Sequence, residues 1–246
     1  KDTNLLEHIM PEFCACFETP QNNPYHLYNV AEHILKAVSE IENEEILRWT
    51  MLLHDIGKPV TRTTDGKGID HFYGHAEESV RISDKILRRL KFNKKSTDII
   101  LRLITHHDRL IEPDGKAVRK AVSAVGIDIF EDLLKVKKAD NQAQNHELCR
   151  EKLENLERIK NIFQSIKAKQ ECLSIKDLAI NGHDLIALGY TQGKEIGIVL
   201  NRLLQTVLEN PDMNSRDKLI QKAMEWLGKS LPMERPEKCP DDGKNP

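Results

Sequence analysis

Apolar residues recur at helical spacing through most of this 246-residue chain, and strand-like alternation is nearly absent, so its stripes must be buried helix against helix. Val30, Ile34, Val38 and Ile41 form one such stripe, and Leu153, Leu156, Ile159, Phe163 and Ile166 form another. Hydrophobic residues make up 39% of the chain, charged residues 31% and aromatics only 5%, which suits amphipathic helices with solvated outer faces better than a sandwich or barrel. The fold expected is all-α. Asp65-Gly66-Lys67-Gly68 marks a loop after the first stripes, expected to border whatever site they carry.

The stretch Leu52-Leu53-His54-Asp55-Ile56-Gly57-Lys58 stands out in that frame. Ile46, Leu47, Trp49, Thr50 and Leu53 have helical spacing, and Gly57 with Pro59 reads as the stop signal, so His54 and Asp55 sit at a helix end. There they offer one imidazole and one carboxylate to the same cation. More residues of the same kind lie on neighbouring stripes. His33 falls on the apolar face of a helix predicted over 25–41, and His26, seven residues earlier, would be about 10 Å away along the axis, so only one of them is expected to reach an ion. His75 follows Gly74 on the first turn of a segment carrying Ala76, Val80, Ile86, Leu87 and Leu90. A segment over 96–107 ends in His106-His107-Asp108. There His106 continues the face of Ile99 and Leu103, and His107 that of Ile100 and Ile104. Asp140 closes the run Phe130, Leu133, Leu134, Val136. Imidazoles and carboxylates without thiolates suit one or two divalent ions of Mn, Fe, Ni, Co or Mg better than structural zinc.

The order His33, His54-Asp55 with Ile56-Gly57-Lys58, His75, His106-His107, Asp140 resembles the HD superfamily of metal-dependent phosphohydrolases. The resemblance implies that His33, His54, Asp55 and Asp140 are the shared metal ligands. It implies that His75, His106 and His107 are the extra ligands of members with two or more metals, and that Lys58 faces the substrate phosphate. In the reaction so implied, metal-activated water attacks a phosphoester in line. Asp55 bridges the metals and orients the nucleophile, Lys58 counters charge growing on the phosphoryl group, and an added histidine, His75 or His106 among them, serves as general acid.

The flanks narrow the likeness. Asn23-Pro24-Tyr25-His26, the run from Asp70 to Glu77, Ile86-Leu87-Arg88-Arg89-Leu90-Lys91-Phe92, the run from Glu151 to Leu156, the run from Lys176 to Gly182 and Gly193-Lys194-Glu195-Ile196-Gly197 are similar to the HD-containing region of bacterial CCA-adding enzymes, the tRNA nucleotidyltransferases. This divides the chain into a helical lead-in (1–22), an HD domain (23–146), a long connecting helix (147–173), a small helical hairpin unit like the tRNA-binding end of those enzymes (174–228), and a Pro- and charge-rich tail (229–246) expected not to order. The nucleotidyltransferase head of that family, with its Gly-Gly-Ser loop and Asp-x-Asp motif, has no counterpart here. The chain is therefore expected not to add CCA by itself, and to be either an excised piece or a naturally headless relative.

The function implied is metal-dependent hydrolysis of nucleotide or RNA-end phosphoesters, of the 2′,3′-cyclic phosphodiesterase, 2′-nucleotidase or phosphatase type. The alternative is a tRNA-binding body and tail without independent catalysis. Alarmone hydrolases follow their HD with an acidic pair, and cyclic-dinucleotide hydrolases place a Gly-Tyr-Pro segment after His-His. Here Ile56-Gly57-Lys58 and Asp108-Arg109-Leu110 stand at those places.

A net charge of −2 gives no global field for nucleic acid, so any RNA contact is local. Candidates are Lys194, with the backbone amides of a helix N-terminus, and Arg88 and Arg89, whose ordinary role would be to complement a helix C-terminus. Five cysteines without a CxxC pair point to reduced thiols in a cytoplasm. No apolar run approaches a membrane span, and His8 and His183 read as surface residues.

Overall fold

The computed structural model describes residues 4–227, so the tail expected over 229–246 lies outside the described residues. The fold is all-α. The only strands among the described residues form a ribbon of two residues a side. The chain divides into two compact units that part between Gln170 and Glu171.

The first unit runs α1 (Leu5–Ile9), α2 (Pro11–Phe17), α3 (Val30–Glu40), α4 (Glu45–Leu53), α5 (Lys58–Thr61), β1 (Thr63–Thr64), β2 (Asp70–His71), α6 (His75–Arg89), α7 (Lys94–His106), α8 (Gly115–Val125), α9 (Phe130–Gln142) and α10 (His146–Ala168). Ile34, Leu53, Ile56, Ile86, Leu87, Ile100 and Ile104 interlock as one buried cluster, each contributing roughly 1.5–3 kcal/mol by leaving water. α4 and α9 pack on each other and each packs on both α3 and α7, and α6 packs on α7. The long α10 lies against α8 and α9 through Leu156, Ile159, Phe163 and Ile166, so it is part of this unit's core rather than a free connector.

Two helix boundaries differ from the sequence expectation. α3 begins at Val30, not at 25, because Asn29 accepts from Glu32 N at 2.9 Å and the Glu32 carboxylate returns to Asn29 N, a capping box that fixes the start. His26 is consequently in the loop ahead of the helix. The segment after Asp55 does not stop at Gly57-Lys58-Pro59 but turns into α5, with Pro59 in its first turn, where a missing N–H costs nothing. Gly57 is required by contact. A Cβ there would lie 2.5 Å from His75 O and Ser79 N, so only glycine lets the start of α6 close on this turn.

Asp70 ties the ribbon to the body. Its buried carboxylate accepts from Thr64 Oγ1 at 2.7 Å and Asn22 N at 2.9 Å, and pairs with Arg62 Nε at 3.0 Å. In the loop between the strands, Asp65 Oδ1 accepts from Lys67 N and Ile69 N, an Asx pattern that closes the turn.

The second unit comprises α11 (Gly182–Ala187), α12 (Lys194–Glu209) and α13 (Arg216–Leu227), with single 3₁₀ turns at Ile175–Asp177 and Pro211–Met213. Leu185, Val199, Leu203, Val207 and Leu219 fill its interior, and Tyr190 donates its hydroxyl to Ala223 O at 2.6 Å. Among the described residues no helix is long and apolar enough to cross a membrane.

Candidate metal centre

Helix ends bring the site together. His54 caps the C-terminus of α4 and Asp55 follows it, while His107 caps α7. His75 opens α6 after Gly74, which takes φ +75°. His33 projects from the end of the first turn of α3, and Asp140 from the last turn of α9.

Two ligand groups result, and Asp55 belongs to both. In the first, one ligand atom from each of His33, His54, Asp55 and Asp140 falls within 4.8 Å of the others. In the second, atoms of Asp55, His75 and His107 do the same. His33 Nε2 is 3.3 Å from Asp55 Oδ2 and 3.0 Å from Asp140 Oδ1, and His54 Nε2 is 3.2 Å from Asp55 Oδ2. On the other oxygen, His75 Nε2 and His107 Nε2 lie 3.4 and 3.6 Å from Asp55 Oδ1.

The second nitrogen of each ring explains what the first is for. Nδ1 donates to a backbone carbonyl in all four histidines: His54 to Met51 O at 2.7 Å, His107 to Ile104 O at 2.7 Å, His75 to Phe72 O at 2.8 Å, and His33 to Ala143 O at 3.4 Å. That fixes the tautomer, so the lone pair of every neutral imidazole sits on Nε2 and faces the group. His33 Nε2 and His54 Nε2 are fully buried yet aligned in no hydrogen bond, and the Nε2 atoms of His75 and His107 confront each other at 3.3 Å. Buried lone pairs converging beside two carboxylates call for positive charge, and the donor set of imidazole and carboxylate fits a divalent ion.

The electrostatics show the same demand. Burial opposes charge on His54, yet the carboxylates of Asp55 and Asp140 outweigh it and lift the imidazole from 6.5 to about 10. Burial likewise opposes charge on His33, and Asp140 and Asp55 raise it. Burial would push Asp55 and Asp140 up, but the facing imidazoles, with Lys58 acting on Asp55, hold both well below the usual carboxylate range. A cation would take the place of those protons.

The remaining expected site residues are distributed as follows. Lys58 is buried, with Nζ 2.7 Å from Asp55 Oδ2 and 2.8 Å from Gln21 Oε1, so its ammonium is committed to the shared carboxylate. His106 is in neither group. It ends α7 half-buried while His107, on the fully buried stripe of Ile100 and Ile104, turns inward. The carboxylate of Asp108 lies 3.9 Å from His75 Nε2. His26 packs edge-on to His33 with ring centroids 5.3 Å apart, outside both groups, and burial pushes its imidazole down to about 3. Arg88 pairs with Asp84 at 2.8 Å and Arg89 makes a two-pronged pair with Glu12, both at the C-terminal turn of α6. Lys194 is exposed on the first turn of α12, and His8 and His183 are exposed as expected.

Sequence reading missed three supporting residues. Gln144 donates to Asp140 Oδ2 at 3.2 Å, and its i, i+4 spacing was the available signal. Gln21 lies in an irregular segment that gives no periodicity to read. Lys137 donates to His107 O at 2.7 Å and Arg109 O at 2.8 Å, and burial lowers its ammonium to about 8.

Comparison with known proteins agrees with this geometry. The chain is 32% identical over 213 residues to the CC-adding tRNA nucleotidyltransferase of Thermus thermophilus, covering 83% of this chain and 46% of that protein. It is 27% identical over 208 residues to the A-adding tRNA nucleotidyltransferase of Deinococcus radiodurans, covering 82% and 47%. A multifunctional CCA protein of Azoarcus is 28% identical over 116 residues, covering 46% and 27%. The chain thus spans about half the length, or less, of the curated relatives it matches. The model of the HD domain matches residues 25–223, a span that takes in all the residues of both ligand groups. A match of that extent, around histidines and aspartates that meet in space, shows that the chain belongs to the HD-domain family.

Proposed function

We propose that this protein is a metal-dependent phosphohydrolase acting on phosphoesters of nucleotides or RNA ends, of the 2′,3′-cyclic phosphodiesterase, 2′-nucleotidase or phosphatase type. The observation that carries the proposal is the pair of ligand groups sharing Asp55, with every imidazole presenting Nε2 inward.

His33, His54, Asp55 and Asp140 would hold one divalent ion, and Asp55, His75 and His107 a second. When bound, such ions supply Lewis acidity toward a phosphoryl oxygen and a water of lowered pKa. The protein's own contribution is positioning. Asp55 uses one oxygen toward each group and so fixes their separation, and the main-chain carbonyls behind the imidazoles hold each ring in place. Lys58 anchors Asp55 at Oδ2, the oxygen that also faces His33 and His54. His75 is the most exposed of the four imidazoles, with 15% of its side-chain surface open, and Asp108 beside it is half exposed. With Nε2 turned to the second group and Nδ1 bonded to Phe72 O, His75 serves as a ligand and keeps no proton for a leaving oxygen.

The test is hydrolysis of 2′,3′-cyclic AMP and of bis-p-nitrophenyl phosphate by purified protein with Mn, Ni, Mg or EDTA, beside Asp55→Ala. Turnover that requires metal and disappears in Asp55→Ala is the expected result. No turnover with any metal, despite bound ion, would overturn it.

That outcome would favour a second reading, a tRNA-binding body and tail without catalysis of its own. The likeness to tRNA nucleotidyltransferases over about half of their length supports this reading. Salt-sensitive tRNA binding without hydrolysis would be its signature.

A further inference from the structure

The ammonium of Lys137 donates to His107 O at 2.7 Å and to Arg109 O at 2.8 Å, and so bridges two elements that carry different halves of the site. Lys137 is on α9, one turn ahead of Asp140. Its two acceptors follow the C-terminus of α7, and one of them is the carbonyl of a ligand, His107. We propose that Lys137 is a positioning residue for the second ligand group, setting the place of His107 relative to Asp55 and Asp140.

The carbonyls at a helix C-terminus have no partner within the helix, and a cation there is favoured by the dipole as well as by hydrogen bonding. Lys137 satisfies that need, and nearby lysines do not share it. Lys138 reaches toward Glu157 at 3.8 Å, and Lys135 pairs with Glu42 at 2.9 Å. The ring of His107 is oriented from within its own segment, through Nδ1 and Ile104 O. Its backbone carbonyl, with that of Arg109 two residues on, is the part that Lys137 holds. The first group makes no use of this contact, since His33, His54 and Asp140 reach it from α3, α4 and α9 themselves. Loss of Lys137 should therefore separate the two groups in their affinity for metal.

This inference rests on the reading that both groups hold divalent ions. The experiment is Mn titration of the whole chain by calorimetry, with circular dichroism to follow folding, for wild type, Lys137→Met, Lys137→Gln and His107→Ala. Wild type should bind two ions, and His107→Ala identifies the one that depends on the second group. Lys137→Met should weaken that same ion by about 10–100-fold and leave the other in place, the usual scale for a residue supporting a metal ligand. Lys137→Gln, which keeps one donor and disturbs packing less, should fall between and decides the matter if the methionine variant does not fold. Two ions bound by both Lys137 variants as tightly as by wild type, or equal weakening of both ions, would overturn the positioning role. Fewer than two ions on wild type would instead overturn the two-group reading on which it stands.

Discussion

Lys58 Nζ lies 2.7 Å from Asp55 Oδ2, with both side chains buried, so the carboxylate common to the two ligand groups already has a lysine partner. Gln21 holds that ammonium from the other side at 2.8 Å, and Phe72 covers it at 5.3 Å from the ring centroid. The lysine of the His-Asp motif is thus built into the floor of the site.

Removing Lys58 takes a cation away from a buried carboxylate and leaves its charge to the imidazoles of His33 and His54 alone. Lys58→Met should lower the stability of the metal-free protein by about 3–5 kcal/mol. Added Mn should narrow that gap, since a divalent ion on Asp55 restores the missing positive charge. Chemical denaturation of both proteins in EDTA and in excess Mn measures it.

The two groups overlap only at Asp55, which makes occupancy separable by mutation. Asp55→Ala should abolish both ions, Asp140→Asn should weaken the first, and His107→Ala the second. Metal analysis of dialysed protein gives the counts. At free Mn of 100 times the dissociation constant, wild type should gain about 2.7 kcal/mol of stability per site over EDTA, and Asp55→Ala none.

Gly57 admits the backbone of α6 to within contact distance of the turn after Asp55. Gly57→Ala should cost about 1–3 kcal/mol through overpacking. It should also displace His75, so that the second ion weakens more than the first. Thermal melts and Mn titration read the two effects independently.

Asp70 carries a pH dependence with a definite sign. Burial would raise its carboxyl, but Asn22 N, Thr64 and Arg62 hold it below the ordinary 3.8. A carboxyl depressed in the folded state contributes stability that is fully present above its unfolded value and is lost as pH falls below 3.8 through the folded value. Asp70→Asn should therefore cost about 1.5–3 kcal/mol near neutrality, the worth of hydrogen bonds to a charged group, and the difference from wild type should shrink toward pH 2.5. Urea midpoints across that range test it.

The stripes of α3, α4, α7, α9 and α10 were legible because each helix buries one face, and His33, His54, Asp55, His75, His107 and Asp140, expected as ligands together with His106, are the residues the fold gathers into two groups. His106 was misplaced for a physical reason. Leu103 and Ile104 are both buried, so the chain marks two adjacent apolar faces, and only packing against α4 and α9 selects the one that His107 extends. The start of α3 was readable in Asn29-x-x-Glu32, a capping box overshadowed by the longer apolar period. Gly57 was read as punctuation because a stop signal is local, whereas its partners, His75 and Ser79, are about twenty residues away in sequence. Gln21 and Lys137 act on backbone or charge brought near only by folding, and no spacing rule reaches them.

His54, His75 and His107 each bind, through Nδ1, the carbonyl three residues earlier in their own chain. Each ligand is therefore a self-aligned cartridge of four residues, whose aim is set inside the segment and whose location is set outside it. Changes in the surrounding core would slide such a cartridge without rotating its ring. Drift among related sequences should then alter the spacing between the two groups more readily than the nitrogen that each ring turns inward. His33 is the exception: its ring is held by Ala143, 110 residues on in the chain at the end of α9, and its aim is the one that a shift of α9 would spoil.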